Sequence, residues 1–262
     1  MMGNNKLYKY LDVNGGLLML LHHNLQFTQA SKLNDPFDCH PALIDFSDVP
    51  IKKVQSYPEE VQTALQPTNF EKARENEYIC SLSKNYDSIL MWSYYTNHKG
   101  ICIGIDMEKA RTYYTKMPVS LLGCLEWEVQ YRDIIKKPDY LTSIEDLFKY
   151  QMTTKAIDWK HEEEIRLFSY SPSLTFLNPR NPKAKPLPTP KRDHYYLTIG
   201  QDCFESIHIG YNVDEENKKK IIRIAQQCNP SIKIYEMVTD RQAFKLKEKP
   251  LQIQDSNHFV NA

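Results

Sequence analysis

The stretch CLEWEVQYRD (124–133) alternates Leu125, Trp127, Val129 and Tyr131 with Glu126, Glu128, Gln130 and Arg132. A two-residue period of this kind marks a strand with one buried and one wet face. Further strands are expected at KLYKYL (6–11), LQF (25–27), YICSLS (78–83) and KGICIGID (99–106), the last nearly continuous in apolar residues, as buried strands are. FESIHIGYNV, SIKIYEMV and FKLKEKPL extend the series towards the C-terminus.

Helical patterns lie between these strands. DVNGGLLMLLHHN opens with an acid and an amide before LLMLL and stops at Asn24. Asp87 is the expected N-cap of SILMWSYY. A helix is predicted over 143–159, and DEENKKKIIRIAQQCNP carries acids at its start and Asn-Pro at its end. The polar stretch 47–75 is predicted to hold surface helices such as PEEVQTALQ. Residues 171–193, rich in proline, cannot form a regular element and are expected to be a loop or flap. Strands and helices are thus interspersed without a repeat or a strong linker. The expectation is one α+β domain over 1–262, with a split or mixed sheet and flanking helices.

Lysine plus arginine and aspartate plus glutamate both total 33, so no global field draws the chain to nucleic acid or membrane. The six cysteines are widely spaced, without a C-x-x-C pair or a short Cys/His array, so no metal ligands are expected. Neither a signal-peptide apolar run nor a membrane-length segment is present in the sequence. A reduced, cytoplasmic protein follows as the expectation. P-loop, dinucleotide, nucleophile-elbow and zinc-protease motifs do not occur, which lowers the standing of the corresponding enzyme classes.

Three places carry candidate chemistry. In WKHEEEIRLF (159–168), a strand would put Glu162, Glu164 and Arg166 on one face, about 7 Å apart per step, with Ile165 and Leu167 towards the core. A carboxylate beside a guanidinium stays ionised; the alternative is an exposed face with a surface salt bridge of little worth. In MWSYYTNHKG, Trp92 and Tyr95 suit either a stacking wall or helix packing, and His98 with Lys99 suit phosphate contact, proton transfer or plain exposure. In KLNDPFDC, Asn34 and Asp35 before Pro36 make turn chemistry, while Asp38 and an apolar Phe37 predict a corner folded inward, Phe37 buried. The loop at 178–193 adds Arg180, Lys183, Lys185, Lys191 and Arg192, a set that favours an anionic ligand.

The ordered words LYKYL, LQF, NDPFDC, CSLS, ILMWSYYTNHKGICIGID and W-x-x-E-x-E-x-R (Trp159 to Arg166) resemble a bacterial family catalogued as domain of unknown function 2971. The layout of an aromatic first strand, a helix, an SLS strand, an aromatic helix and a Glu-bearing strand also resembles the ADP-ribosyltransferases. Those enzymes cradle NAD in a split sheet, stack an aromatic residue on nicotinamide and bond the ribose hydroxyl with a strand glutamate. Carried over, the resemblance implies Glu164, or Glu162, as the catalytic carboxylate. It places Tyr8 or Tyr10 and Tyr95 against nicotinamide, Ser81 or Ser83 as the supporting serine, and Arg166, His98 and Lys99 at the phosphates. The first strand carries Tyr-Lys-Tyr where many such enzymes have a histidine.

The leading expectation is therefore an NAD-consuming, ADP-ribosyltransferase-like enzyme acting on nucleic acid or protein in anti-phage defence, with Asn34, Asp35 and Asp38 as a cleft wall. The alternatives are an Mg²⁺-dependent nuclease-like enzyme using Asp35, Asp38, Glu162 and Glu164 as oxygen ligands, and a non-catalytic binding module.

Overall fold

The computed structural model describes residues 5–44, 50–64, 66–115, 124–136, 138, 143–169 and 193–251. The expected proline-rich flap at 171–193 lies almost wholly outside them, Asp193 alone being described. In chain order the elements are β1 (Lys6–Leu11), α1 (Val13–His22), β2 (Asn24–Gln29), α2 (Ile51–Val54), α3 (Glu59–Ala64), α4 (Pro67–Asn76) and β3 (Tyr78–Ser83). Next come α5 (Ile89–Thr96), β4 (Ile101–Asp106), α6 (Met107–Thr115), β5 (Cys124–Glu128), β6 (Gln130–Arg132), α7 (Ile144–Thr153) and β7 (Thr154–Ala156). The chain closes with β8 (Glu164–Ser169), β9 (His194–Thr198), β10 (Phe204–Ile209), α8 (Glu215–Cys228), β11 (Lys233–Thr239) and β12 (Leu246–Pro250). The fold class is α+β. The chain divides into two compact units: Met1–His23, Asn85–Met107 and Gln201–Ala262 form the first, Asn24–Lys84 and Glu108–Gly200 the second.

In the first unit β1 pairs antiparallel with β4, β4 with β10, and β11 with β12, while β10 and β11 run parallel across the α8 crossover. α1 starts where Asp12 accepts a hydrogen bond from the Gly15 N–H at 2.8 Å, and ends in left-handed backbone at His23. Gly16 lets this helix approach β4 closely: a Cβ there would stand 2.2 Å from Cδ1 of Ile101. The cap of α5 is Ser88, not the expected Asp87; its hydroxyl accepts from the Met91 N–H at 3.4 Å. Tyr8, Tyr10, Met91, Trp92, Cys102, Met237 and Leu246 fill a core in this unit.

In the second unit the antiparallel order is β9-β2-β3-β8-β5, and a small parallel pair joins β6 to β7. Three expectations are corrected here. The alternating stretch 124–133 is two strands broken at Val129, whose N–H donates to the Glu164 carbonyl at 3.0 Å, so β5 pairs with β8 and β6 with β7. The helix expected over 143–159 ends at Thr153, where the β-branched Thr154 takes the extended backbone that pairs with Gln130 of β6. β9, next to the proline-rich stretch, was not anticipated at all. One core of this unit gathers Ala30, Cys39, Ala73, Ile79, Phe148, Met152 and Phe168, and a smaller one Ile44, Phe70 and Leu147.

Candidate functional site

The corner at 34–39 is built by short-range hydrogen bonds. Oδ1 of Asp35 accepts the Phe37 N–H at 2.9 Å, and the Asp38 N–H donates to the Asp35 carbonyl at 3.1 Å. Cys39 follows in left-handed backbone, φ 53°. This tight turn sends Asp35 and Asp38 inward, both nearly fully buried, and leaves Asn34 exposed. Phe37 goes the other way and is 59 % exposed. The corner does fold inward, through its aspartates and not through the ring expected to anchor it.

The second half of the site comes from residues 154–166. After β7, a 3₁₀ helix (Ile157–Glu162) ends at Glu163 in left-handed backbone, φ 44°. The strand therefore starts at Glu164, and Glu162 is not on it as expected. Glu162 arrives from the 3₁₀ turn, its carbonyl held by the Ser83 hydroxyl at 2.7 Å. The Glu164 N–H donates to the Tyr131 hydroxyl at 2.9 Å. β8 lies between β3 and β5, and the face bearing Glu164 and Arg166 is buried, as is Leu167 on the opposite face. The exposed salt-bridge alternative does not describe it.

These segments meet in one buried ionic network. The Arg166 guanidinium donates from Nε to Oε1 of Glu164 at 2.9 Å and from Nη2 to Oε2 of Glu164 at 3.1 Å. The same Nη2 donates to Oδ2 of Asp38 at 2.6 Å. Nη1 donates to the Met152 carbonyl at 2.7 Å and contacts Sγ of Cys39 at 3.3 Å. Lys155 supplies the second cation: its Nζ lies 2.5 Å from Oε2 of Glu162, 3.2 Å from Oε2 of Glu164 and 3.7 Å from Oδ2 of Asp38. The ammonium also stands 5.1 Å from the centre of the Trp159 ring. Three carboxylates face two cations, so the network carries one surplus negative charge.

The electrostatics follow from that geometry. Burial alone would raise the Glu164 carboxyl. The charges of Arg166 and Lys155, with hydrogen bonds from Arg166 and Ser81, outweigh it and hold the group well below the usual carboxylate range. Burial likewise works against the charged form of Lys155, but Glu164, Asp38 and Glu162 keep it protonated far above neutrality. Burial, with Asp38 adding to it, pushes the Cys39 thiol up, so it is not a nucleophile at neutral pH. Glu164 is thus a permanent anion, suited to stabilising positive charge and unsuited to moving protons.

Beside the network a cavity of about 220 Å³ opens between the Asp38 corner and β6–β7, and Lys155 contributes to its wall. Lys155, central to the site, was missed from sequence. The available signal was charge balance: the acids at 162–164 and Asp38 outnumber the neighbouring Lys160 and Arg166, and Lys155 in QMTTKAIDW is the next lysine upstream.

The remaining site candidates, Tyr8, Tyr10, Tyr95, His98 and Lys99, belong to the first unit. Tyr10 is buried, edge-on to Trp92 with ring centres 5.2 Å apart, and its hydroxyl donates to the Asn85 carbonyl at 3.0 Å. Tyr8 is buried beside Tyr86, ring centres 5.3 Å apart, and meets His208 edge-on at 5.8 Å. Tyr95 and Lys99 have exposed side chains. His98 serves the backbone: with φ 58° it turns the chain after α5, and its carbonyl accepts the Asn212 N–H at 2.8 Å. Among the described residues no group of three or more His, Cys, Asp or Glu side chains is arranged to hold a metal ion, and no helix is long and apolar enough to cross a membrane.

No curated protein and no solved structure matches the chain. The family described as "Protein of unknown function (DUF2971)" matches residues 91–167, a segment that starts in α5 and ends in β8 beyond Glu164 and Arg166. That segment, similar to the DUF2971 family, contributes every member of the ionic network except Asp38.

Proposed function

We propose that the chain is an NAD-consuming enzyme of ADP-ribosyltransferase type, working in the bacterial cytoplasm on a nucleic-acid or protein acceptor in defence against phage. The observation that carries this reading is the pairing of β8 with the Ser-Leu-Ser strand β3. Glu164 stands opposite Ser83 in the ladder, and its carboxylate, held ionised, takes a hydrogen bond from Ser81. On this reading Glu164 stabilises the positive charge that develops on the ribose as the bond to nicotinamide breaks. An Mg²⁺-dependent nuclease is less favoured, since Asp38, Glu162 and Glu164 would have to give up Lys155 and Arg166 to serve a metal.

The test is nicotinamide release from NAD by the wild type and by Glu164→Gln, with urea unfolding measured on both. The substitution leaves two carboxylates against two cations, so the fold is expected to survive while turnover falls at least a hundredfold. No turnover by the wild type, or full turnover by the variant, ends the proposal. Both oxygens of Glu164 are already engaged by Arg166 and Lys155, and this favours a second reading. In it the network is the scaffold of a non-catalytic binding module, and Glu164→Gln changes stability alone.

A further inference from the structure

The cavity beside the ionic network has a composition of its own. Leu43, Ile134, Ile135 and Ala156 make its walls apolar, and Phe37 adds an aromatic face. Three of these side chains are left largely in water: Phe37 is 59 % exposed, Ile134 69 % and Ile135 48 %. Large apolar groups gathered at one mouth mark a surface whose burial by a ligand is favourable. Thr154 also lines the cavity, is nearly fully buried, and its hydroxyl has no hydrogen-bonding partner. A buried hydroxyl without a partner is a standing cost that a ligand's polar group relieves.

Size and charge narrow the ligand. An engineered cavity of about 150 Å³ accepts benzene, and drug-sized ligands occupy pockets of roughly 300–1,000 Å³. At about 220 Å³ this site fits one ring with a small substituent. Of the charged residues that line it, Arg132 and Asp133 offset each other and Lys155 is already engaged by Glu162, Glu164 and Asp38, so no surplus cation is left for an anion. An anion is disfavoured there.

We propose that this cavity is a binding site for a small, uncharged, single-ring molecule bearing one hydrogen-bonding group, recognised by Phe37 and the isoleucines through its ring and by Thr154 through its polar end. The site does not depend on the NAD reading, and its ligand need not be a substrate.

The experiment is a titration of the full chain with benzamide and, separately, with benzoate, followed by heteronuclear NMR and calorimetry. Benzamide is expected to saturate in the low millimolar range, shifting amides of residues 132–135 and 154–156, and to bind at least tenfold more tightly than benzoate. Thr154→Val, which removes an unpartnered hydroxyl and so leaves the unliganded melting temperature unchanged or raised, is expected to weaken benzamide at least fivefold. Phe37→Ala, at an exposed position, is expected to weaken it by a similar factor. Absence of saturable benzamide binding, benzoate binding as tightly, or full affinity in Thr154→Val each overturns the proposal. Nicotinamide release is tested separately, by Glu164→Gln.

Discussion

Glu77 sets the pH response of the second unit. It sits just after α4, its N–H donating to the Ala73 carbonyl at 2.9 Å and its carbonyl accepting the Ala30 N–H at 2.8 Å. These backbone bonds hold the side chain inside, 1 % exposed, with Oε2 lacking any partner. Burial alone raises its carboxyl from 4.5 to about 8. The unfolded chain ionises this group near its ordinary value, while the folded chain keeps it protonated until about pH 8. Between those values the folded state binds more protons, so stability falls as pH rises through the window and levels off above it. At about 1.4 kcal/mol per pH unit, the loss between pH 5.5 and pH 8.5 is about 3 kcal/mol, a large share of the roughly 5–15 kcal/mol that holds a domain together. Glu77→Gln keeps the shape of the protonated acid and removes the titration. Urea unfolding followed by tryptophan fluorescence in a Trp92→Phe background reports on the second unit, which holds Trp127 and Trp159. The variant is expected to be more stable than the parent by about 1.4 kcal/mol at pH 5.5 and about 4.6 kcal/mol at pH 8.5, a gap that widens by about 3 kcal/mol. An unchanged slope in the variant, or a parent equally stable at both pH values, refutes the reasoning.

Two further outcomes are expected. Arg166→Met leaves Asp38 and Glu164 buried with Lys155 as their one remaining cation, and breaking a buried charge network costs about 3–5 kcal/mol; a urea midpoint within error of the wild type would contradict this. His208, stacked between Tyr86 and Tyr235 with Tyr8 on its edge, bonds Oε2 of Glu248 at 2.9 Å. Burial lowers its pKa below 6.5, with Glu248 opposing in part. The unfolded imidazole thus protonates first, so this contribution is complete above pH 6.5 and is lost as pH falls below it. His208→Phe is expected to flatten the acid limb of the first unit, read from Trp92 fluorescence with Trp127 and Trp159 replaced. An unchanged acid limb speaks against the assignment.

Strands whose composition states their environment could be read directly. KLYKYL, YICSLS and the apolar core of KGICIGID became β1, β3 and β4, because their β-prone side chains are the ones the sheets bury. α1 and α8 were legible from their caps, with Asp12 and Asp214 each accepting a backbone N–H from three residues on. Breaks inside a good pattern could not be read. Val129 continues the alternation of CLEWEVQYRD, and only the hydrogen bond from its N–H to Glu164 divides the stretch into two pairings. At the site, the acids and Arg166 announced themselves, but Lys155 did not. A lone lysine inside a stretch that reads as helix is taken for a solvated residue, and its place among three carboxylates depends on a contact with Asp38 that spans more than a hundred positions of the chain. Phe37 misled for a related reason: apolar character says what a ring prefers, whereas the hydrogen bonds of Asp35 decided which side chain the turn presents to the interior.

The position of β8 between two antiparallel neighbours has a consequence for how the chain finds its register. Sliding β8 by one residue along β3 would exchange its faces, pointing Ile165 at Asp38 and Lys155 and turning Arg166 away from both. That arrangement leaves buried charges of both signs without partners, a penalty far larger than the loss of a few apolar contacts. The correct alignment gains little from its ion pairs once desolvation is counted, yet each neighbouring alignment is expelled by them. Such a network discriminates late, since Asp38 and Arg166 are 128 residues apart and meet only when the chain between them has closed. Its contribution therefore lies in the width of the gap between the native sheet and its nearest misfolded competitors, a quantity that the depth of the native state alone does not measure.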